Sequence, residues 1–249
     1  MLSEAALLAA AALAAGALNA LAGGGSFLTL PALMACGVPP VAANATGTLA
    51  LLPGYLSASW ATRADRSLPP GWQRRTPILL AVAGGASGAL LLLITPDRRF
   101  AALAPMLLLL ATLLFALQPR LQQRTGAALP APWSAALLFA VCLYGGYFNG
   151  GLGILLLAAL GAAGLSPLAQ ANALKNQVSA VLTTIAALLY LAGGAIVFAK
   201  ALWMMVFAAI GGYAGARLGR RMPPARLRAL IVLIGLAMAA QLARVALSS

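Results

Sequence analysis

The chain has 249 residues, of which 63% are hydrophobic and only 8% charged. That much apolar surface has no place in a water-soluble core, and its continuous Ala- and Leu-rich runs suit helices crossing a ~30 Å hydrocarbon slab, not the alternating short strands of a transmembrane barrel. The net charge of +13 does not signal nucleic acid, because the sixteen basic residues stand mostly in short connections between apolar runs, where they set orientation and meet anionic head groups.

Taken in order, the first apolar segment covers residues 2–37, and as one helix it would measure ~53 Å, far more than one crossing needs. Gly23-Gly24-Gly25-Ser26 divides it into two arms, and Pro31 is expected to disturb the second. Its start carries Glu4 and no basic n-region, so it reads as part of the mature fold and not as a signal peptide. Segment two covers residues 41–62, segment three 72–95 and segment four 100–117. Segment five, 133–164, is again too long and again interrupted, at Asn149-Gly150-Gly151-Leu152-Gly153. Segment six starts with Ser166 as N-cap and Pro167 at the first helical position and runs to residue 191. Segments seven and eight cover 197–218 and 227–242. Cys36 and Cys142 both lie in apolar segments and read as small buried thiols; histidine is absent.

The second half repeats the first. At an offset of 128, Gly23 falls on Gly151, Gly25 on Gly153, Pro39 on Pro167 and Ala43-Asn44-Ala45 on Ala171-Asn172-Ala173. At 127, Gly84-Gly85 and Gly88 fall on Gly211-Gly212 and Gly215. The repeats are residues 1–118 and 133–249, joined by a loop over 119–132 within one integral membrane domain. If segments one and five turn back at their glycine breaks, eleven basic residues collect on one side, including Arg63, Arg66, Arg74 and Arg75, and only Arg98, Arg99, Lys200 and Arg244 remain on the other. Single crossings give no such bias. Positive-inside bias therefore favours the hairpins, with both termini extracytoplasmic, and two full spans in each long segment would give the same parity as a re-entrant hairpin. The fold expected is an all-α polytopic membrane protein of two inverted repeats, each a glycine-broken helical hairpin plus three transmembrane helices.

Non-helical glycine-rich backbone at membrane depth is tolerated only where protein or a water-filled cavity satisfies its polar groups. Two matched clusters read as substrate-lining turns, Gly23, Gly24, Gly25 and Ser26 in one half and Asn149, Gly150, Gly151 and Gly153 in the other, whose helix ends present amides to an anion. Close helix packing is the competing explanation. On segment two Asn44, Thr48, Tyr55 and Ser59 share a face, as do Asn172, Asn176, Ser179 and Thr183 on segment six. Such stripes serve either a polar pathway or interhelical hydrogen bonding. Lys175, one turn into segment six, has no evident carboxylate partner, because the only acids are Glu4, Asp65 and Asp97 near ends or connections. It reads as a contact for an anionic substrate, with snorkelling to the interface as the rival. Gly84-xxx-Gly88 and Gly211-xxx-Gly215-xxx-Gly219 look like close-packing faces.

The glycine-rich turn and Pro-containing connection from Gly23 to Asn44, YGGYFNGGLG at 144–153, ANALKN at 171–176 and GGYAGARLGRRMPPARLR at 211–228 together resemble the sulfite exporter TauE/SafE family, in its branch of probable membrane transporter proteins. The resemblance covers nearly the whole chain. It implies a permease for sulfite, a sulfonate or a related small sulfur-containing or organic anion in a bacterial inner membrane. The chain departs from the family in its shorter first glycine run and its long, arginine-bearing 63–75 connection.

The expectation is a secondary carrier and not an enzyme, since the chain has no histidine, no carboxylate pair and no base beside a cysteine; no cofactor and no metal are implied. One midplane anion site would be framed by both turns with Asn44, Thr48, Asn172, Lys175 and Asn176, and one repeat would rock against the other. Efflux of an anion needs no coupling ion, whereas uptake would need Na⁺ or H⁺. A non-transporting membrane scaffold is the alternative, and a homo-oligomer is compatible with both. In a carrier, Lys175, Asn44 and Asn172 should converge with both turns on one cavity.

Overall fold

The computed structural model describes residues 2–22, 24–123, 128–165, 168–219 and scattered positions from 229 to 243. Gly23, Ser166, Pro167 and most of segment eight lie outside the described residues. Among those described, the protein is helical and has no strand: α1 Leu2–Ala22, α2 Ser26–Ala35, α3 Pro40–Ala61, α4 Thr76–Leu93, α5 Asp97–Gln123, α6 Ala131–Tyr147, α7 Leu152–Ala162, α8 Leu168–Ala192 and α9 Phe198–Gly219. Among the described residues, three stretches are long and apolar enough to span a bilayer: Leu2–Ala20, Thr76–Leu93 and Ala169–Ala192. Large apolar side chains such as Ile94, Met106, Val206 and Leu79 face outward, where hydrocarbon and not water must meet them.

Both long segments break where the glycines stand. Pro31 does not disturb the second arm: α2 runs through it, with Phe27, Leu30 and Leu33 buried. One lost backbone bond is outweighed by that packing. The loop expected over 119–132 also begins later, because Arg120, Leu121, Gln122 and Gln123 are good helix formers that carry α5 past Pro119. Segment three starts at Thr76, not at residue 72; Trp72 is buried in the preceding connection, where its Nε1 donates to Ser134 Oγ at 3.2 Å.

Long-range hydrogen bonds sort the connections into two faces. On one, Trp203 Nε1 donates to Ala5 O and Lys200 Nζ to Cys36 O, each at 3.0 Å, so the start of α1 and the end of α2 both lie by the start of α9. Val41 N donates to Asp97 Oδ1 there, at 2.8 Å. On the other face, Trp72 reaches the start of α6, and Leu129 N donates to Ala162 O at the end of α7, at 2.9 Å. Each broken segment thus leaves by the face it entered. With ten and eleven residues, α2 and α7 are about 15 and 17 Å long, half a hydrocarbon slab.

Helix pairs come in matching sets: α1 packs on α9 as α6 packs on α4, α3 on α9 as α8 on α4, α1 on α2 as α6 on α7, and α2 on α3 as α7 on α8. Between the halves, α3 and α8 run antiparallel. Asn176 Nδ2, early in α8, donates to Thr62 Oγ1 just past α3 at 3.2 Å, and Val197 N, past the end of α8, donates to Thr46 Oγ1 near the start of α3 at 3.0 Å. Glycine permits the closest crossings. A Cβ on Gly16 would stand 2.0 Å from Ala208 O, and one on Gly88 2.1 Å from Leu143 O. Gly84 and Gly211 are equally confined, so the expected packing faces are present at these positions, whereas the surroundings of Gly215 and Gly219 lie outside what is described. Cys36 and Cys142 are free thiols, the second fully buried.

Candidate functional site

The tips of the two hairpins meet in the interior. The Phe27 ring of α2 lies where a Cβ on Gly151 would stand 3.1 Å from its Cζ, and Leu18, Leu28 and Ile154 pack together. Gly25 backs onto Ala15 and Leu51, the middle of α3. Gly151 caps α7 with φ +69°, and Asn149 just before it has φ +59°, a left-handed turn that asparagine and glycine tolerate best. Neither α2 nor α7 has a side chain capping its N-terminus. Phe27, Leu28 and Ile154 already donate to Gly24 O, Gly25 O and Gly151 O, while the amides of Ser26, Leu152 and Gly153 find no acceptor among the described residues.

Polar side chains from α3 reach this region. Asn44 Nδ2 donates to Tyr147 O at 3.1 Å, Tyr55 Oη to Asn149 Oδ1 at 3.3 Å, and Thr48 Oγ1 back to Asn44 O at 2.8 Å. Tyr144 Oη donates to Gly150 O at 2.6 Å, and Tyr190 Oη donates to Gly146 O. Several buried polar atoms find no partner: Ser26 Oγ, Thr29 Oγ1, Asn149 Nδ2, Ser179 Oγ, Thr183 Oγ1 and Asn19 Oδ1. Orphans of this kind are costly unless a ligand or water meets them.

The structure thus brings Gly24, Gly25, Ser26, Asn149, Gly150, Gly151 and Gly153 into one buried region that Asn44 and Thr48 approach along α3. It does not bring Lys175 there. The 18 residues from Asn44 to Thr62 cover about 27 Å of helix, and Asn176 is bonded to Thr62. Asn172, Lys175 and Asn176 therefore lie at the opposite end of the α3–α8 pair from Asn44, beside Arg63–Asp65, a turn of 3₁₀ helix. Lys175 is partly exposed, and its ammonium has no hydrogen bond or ion pair among the described residues. All three acids are exposed. Sequence reasoning missed Asn19, which sits against Gly25 and Gly54; nothing in its α1 context distinguishes it from a packing residue. It also placed Tyr144 only in a motif, although the hydroxyl closes the second turn.

A family model described as Sulfite exporter TauE/SafE matches residues 8–242. The chain is 32% identical over 244 residues to the "Probable membrane transporter protein YfcA" of Escherichia coli (strain K12), covering 93% of this chain and 86% of that protein. It is 29% identical over 242 residues to the "Probable membrane transporter protein ORF9" of a Sinorhizobium species, covering 93% and 89%. A third relative, from Haemophilus influenzae, is 29% identical over 232 residues, with 90% of this chain and 89% of that protein covered. No solved structure matches.

Proposed function

The chain belongs to the sulfite exporter TauE/SafE family, and from that premise we propose that it is a secondary transporter carrying a small anion, sulfite, a sulfonate or a related oxyanion, across a bacterial inner membrane. The observation that carries this reading is the meeting of two uncapped, buried helix N-termini, α2 and α7, at the tips of hairpins that return to opposite faces. Free amides and the positive ends of two helix dipoles suit an anion better than any other ligand. Asn149 Nδ2 and Ser26 Oγ, buried and unpartnered, supply further donors.

The antiparallel run of α3 and α8, together with the matching helix pairs, supports two inverted repeats, since a repeat about an axis along the membrane normal would leave equivalent helices parallel. Alternating access then consists of one hairpin-bearing half rocking against the other. The face carrying Arg63, Arg66, Arg74 and Arg75 is cytoplasmic by the positive-inside rule, which leaves both termini extracytoplasmic. Lys175 stands at that cytoplasmic mouth, where it gathers anions before they reach the tips. An exported monoanion gains about 2.3 kcal/mol per 100 mV of inside-negative potential, so efflux proceeds without a coupling ion.

Flux of sulfite, methanesulfonate and acetate in proteoliposomes tests the reading. Wild type should carry at least one of them. Lys175→Ala should raise the half-saturation concentration from the Lys175 side a few-fold at low salt and leave the maximal rate in place, with the difference fading as ionic strength rises. No anion flux from the folded wild type would refute the transport assignment.

A further inference from the structure

Four donors converge on the segment 146–150. Tyr190 Oη bonds Gly146 O, Asn44 Nδ2 bonds Tyr147 O, Tyr55 Oη bonds Asn149 Oδ1 and Tyr144 Oη bonds Gly150 O. Three of these acceptors are backbone carbonyls, which cannot turn round. The fourth belongs to a carboxamide, whose oxygen and NH₂ exchange places by a half-turn of the terminal torsion. Which end faces the hairpin tips is therefore decided by what holds the other end.

Tyr55 is buried, and Asn149 is its hydrogen-bond partner. If the carboxamide turned, Nδ2 could donate to the Tyr55 oxygen, but the phenolic proton and Oδ1 would then both be left without a partner, which is the costlier arrangement. The hydroxyl thus selects the orientation with Oδ1 toward α3 and Nδ2 left as the free end. Asn149 is 1% exposed and its Nδ2 has no partner. Together with the uncapped amides of α7, it offers donors at this turn.

Resting on the anion site proposed above, we propose that Tyr55 is a positioning residue that determines specificity: by fixing the Asn149 carboxamide with its NH₂ as the free end, it adds a donor for an anion at the tip of the second hairpin.

The test is the half-saturation concentration for sulfite in proteoliposomes at a fixed potential. Tyr55→Phe should raise it roughly threefold to tenfold, the loss of one well-placed hydrogen bond, with the maximal rate largely retained. Asn149→Gly keeps the left-handed backbone and removes the carboxamide. Tyr55→Phe combined with Asn149→Gly should match Asn149→Gly alone within about twofold, because Tyr55 acts through Asn149. Tyr144→Phe, whose lost hydroxyl touches only the backbone carbonyls of Gly150 and Leu107, should instead add to Asn149→Gly. Asn149→Asp still accepts from Tyr55 but turns a carboxylate oxygen to the tip, and should abolish sulfite flux while the protein remains folded. Additive losses for Tyr55→Phe and Asn149→Gly, or unchanged half-saturation in Asn149→Asp, would each overturn the assignment. If Tyr55→Phe does not fold, Asn149→Asp decides alone. A folded wild type without anion flux would overturn the transport reading itself, whereas wild-type flux with additive variants would overturn only the role of Tyr55.

Discussion

Replacing Gly151 by alanine tests whether the two hairpin tips meet as described. Gly151 has φ +69°, and a Cβ there would stand 2.8 Å from the Cβ of Ala111 on α5 and 3.1 Å from Phe27 Cζ on α2. The left-handed conformation costs a residue with a side chain about 1–2 kcal/mol. The Phe27 ring can turn aside, but the Ala111 methyl group cannot, so overpacking adds about 1–3 kcal/mol. A total of about 2–5 kcal/mol, at about 2–4 °C per kcal/mol for a chain of this length, lowers the melting midpoint by roughly 4–20 °C. Gly161→Ala, in the same helix, is the control: nothing lies within 4 Å of its Cβ, and a helical alanine gains about 0.5–1 kcal/mol over glycine. The assay is tryptophan-monitored thermal unfolding of both variants in one detergent. Equal midpoints for the two would mean that the tip of the second hairpin is not closed by α2 and α5, and the site built on that meeting would fall with it.

The two glycine seams should respond alike. Gly16→Ala in the α1–α9 seam and Gly88→Ala in the α4–α6 seam each drive a methyl group into a backbone carbonyl, and each should cost at least about 1–3 kcal/mol in the same unfolding assay; a loss in only one would contradict their equivalence. Orientation is checked by thiol labelling after Cys36 and Cys142 are replaced by alanine. With a membrane-impermeant maleimide, Arg98→Cys should label in intact cells and Arg74→Cys only after lysis; the reverse pattern would invert the orientation drawn from the basic residues.

Much of this architecture is visible in residue spacing. Overlong apolar segments with glycine in the middle announced both hairpins, because neither a 36-residue nor a 32-residue helix fits one crossing, and α2 and α7 start within three residues of the glycine clusters. Helix ends were less legible. Pro119 and Pro31 look like breaks, yet neighbouring packing and propensity carry α5 and α2 through them. The site was legible in its backbone and not in its depth. Asn44 and Asn172 occupy equivalent positions in the repeat, and that equivalence suggested one shared cavity. In helices that run antiparallel, equivalent positions near the start lie at opposite ends, so the repeat that marked both asparagines also separates them. Lys175 follows Asn172 to the far end.

The same frame holds different chemistry in its two halves. At an offset of 128, Asn149 corresponds to Leu21, Tyr55 to Thr183, Tyr144 to Gly16 and Tyr190 to Thr62. Where the first half needs glycine at residue 16 so that α9 can approach within contact of its backbone, the second half carries a tyrosine that bonds Gly150 O. Thr62 accepts from Asn176, while Tyr190 in the equivalent place donates to Gly146 O. Of the two tips, the first therefore contributes an aromatic wall through Phe27 and an uncapped helix end, and the second contributes the fixed donors. A motion that carries one tip past the other changes the packing around Phe27 while the bonds from Tyr144 to Gly150 O and from Tyr190 to Gly146 O, internal to the second half, travel with it. The bonds from Asn44 and Tyr55, with that from Tyr144 to Leu107 O, cross between halves, so in the proposed rocking motion they must break or slide.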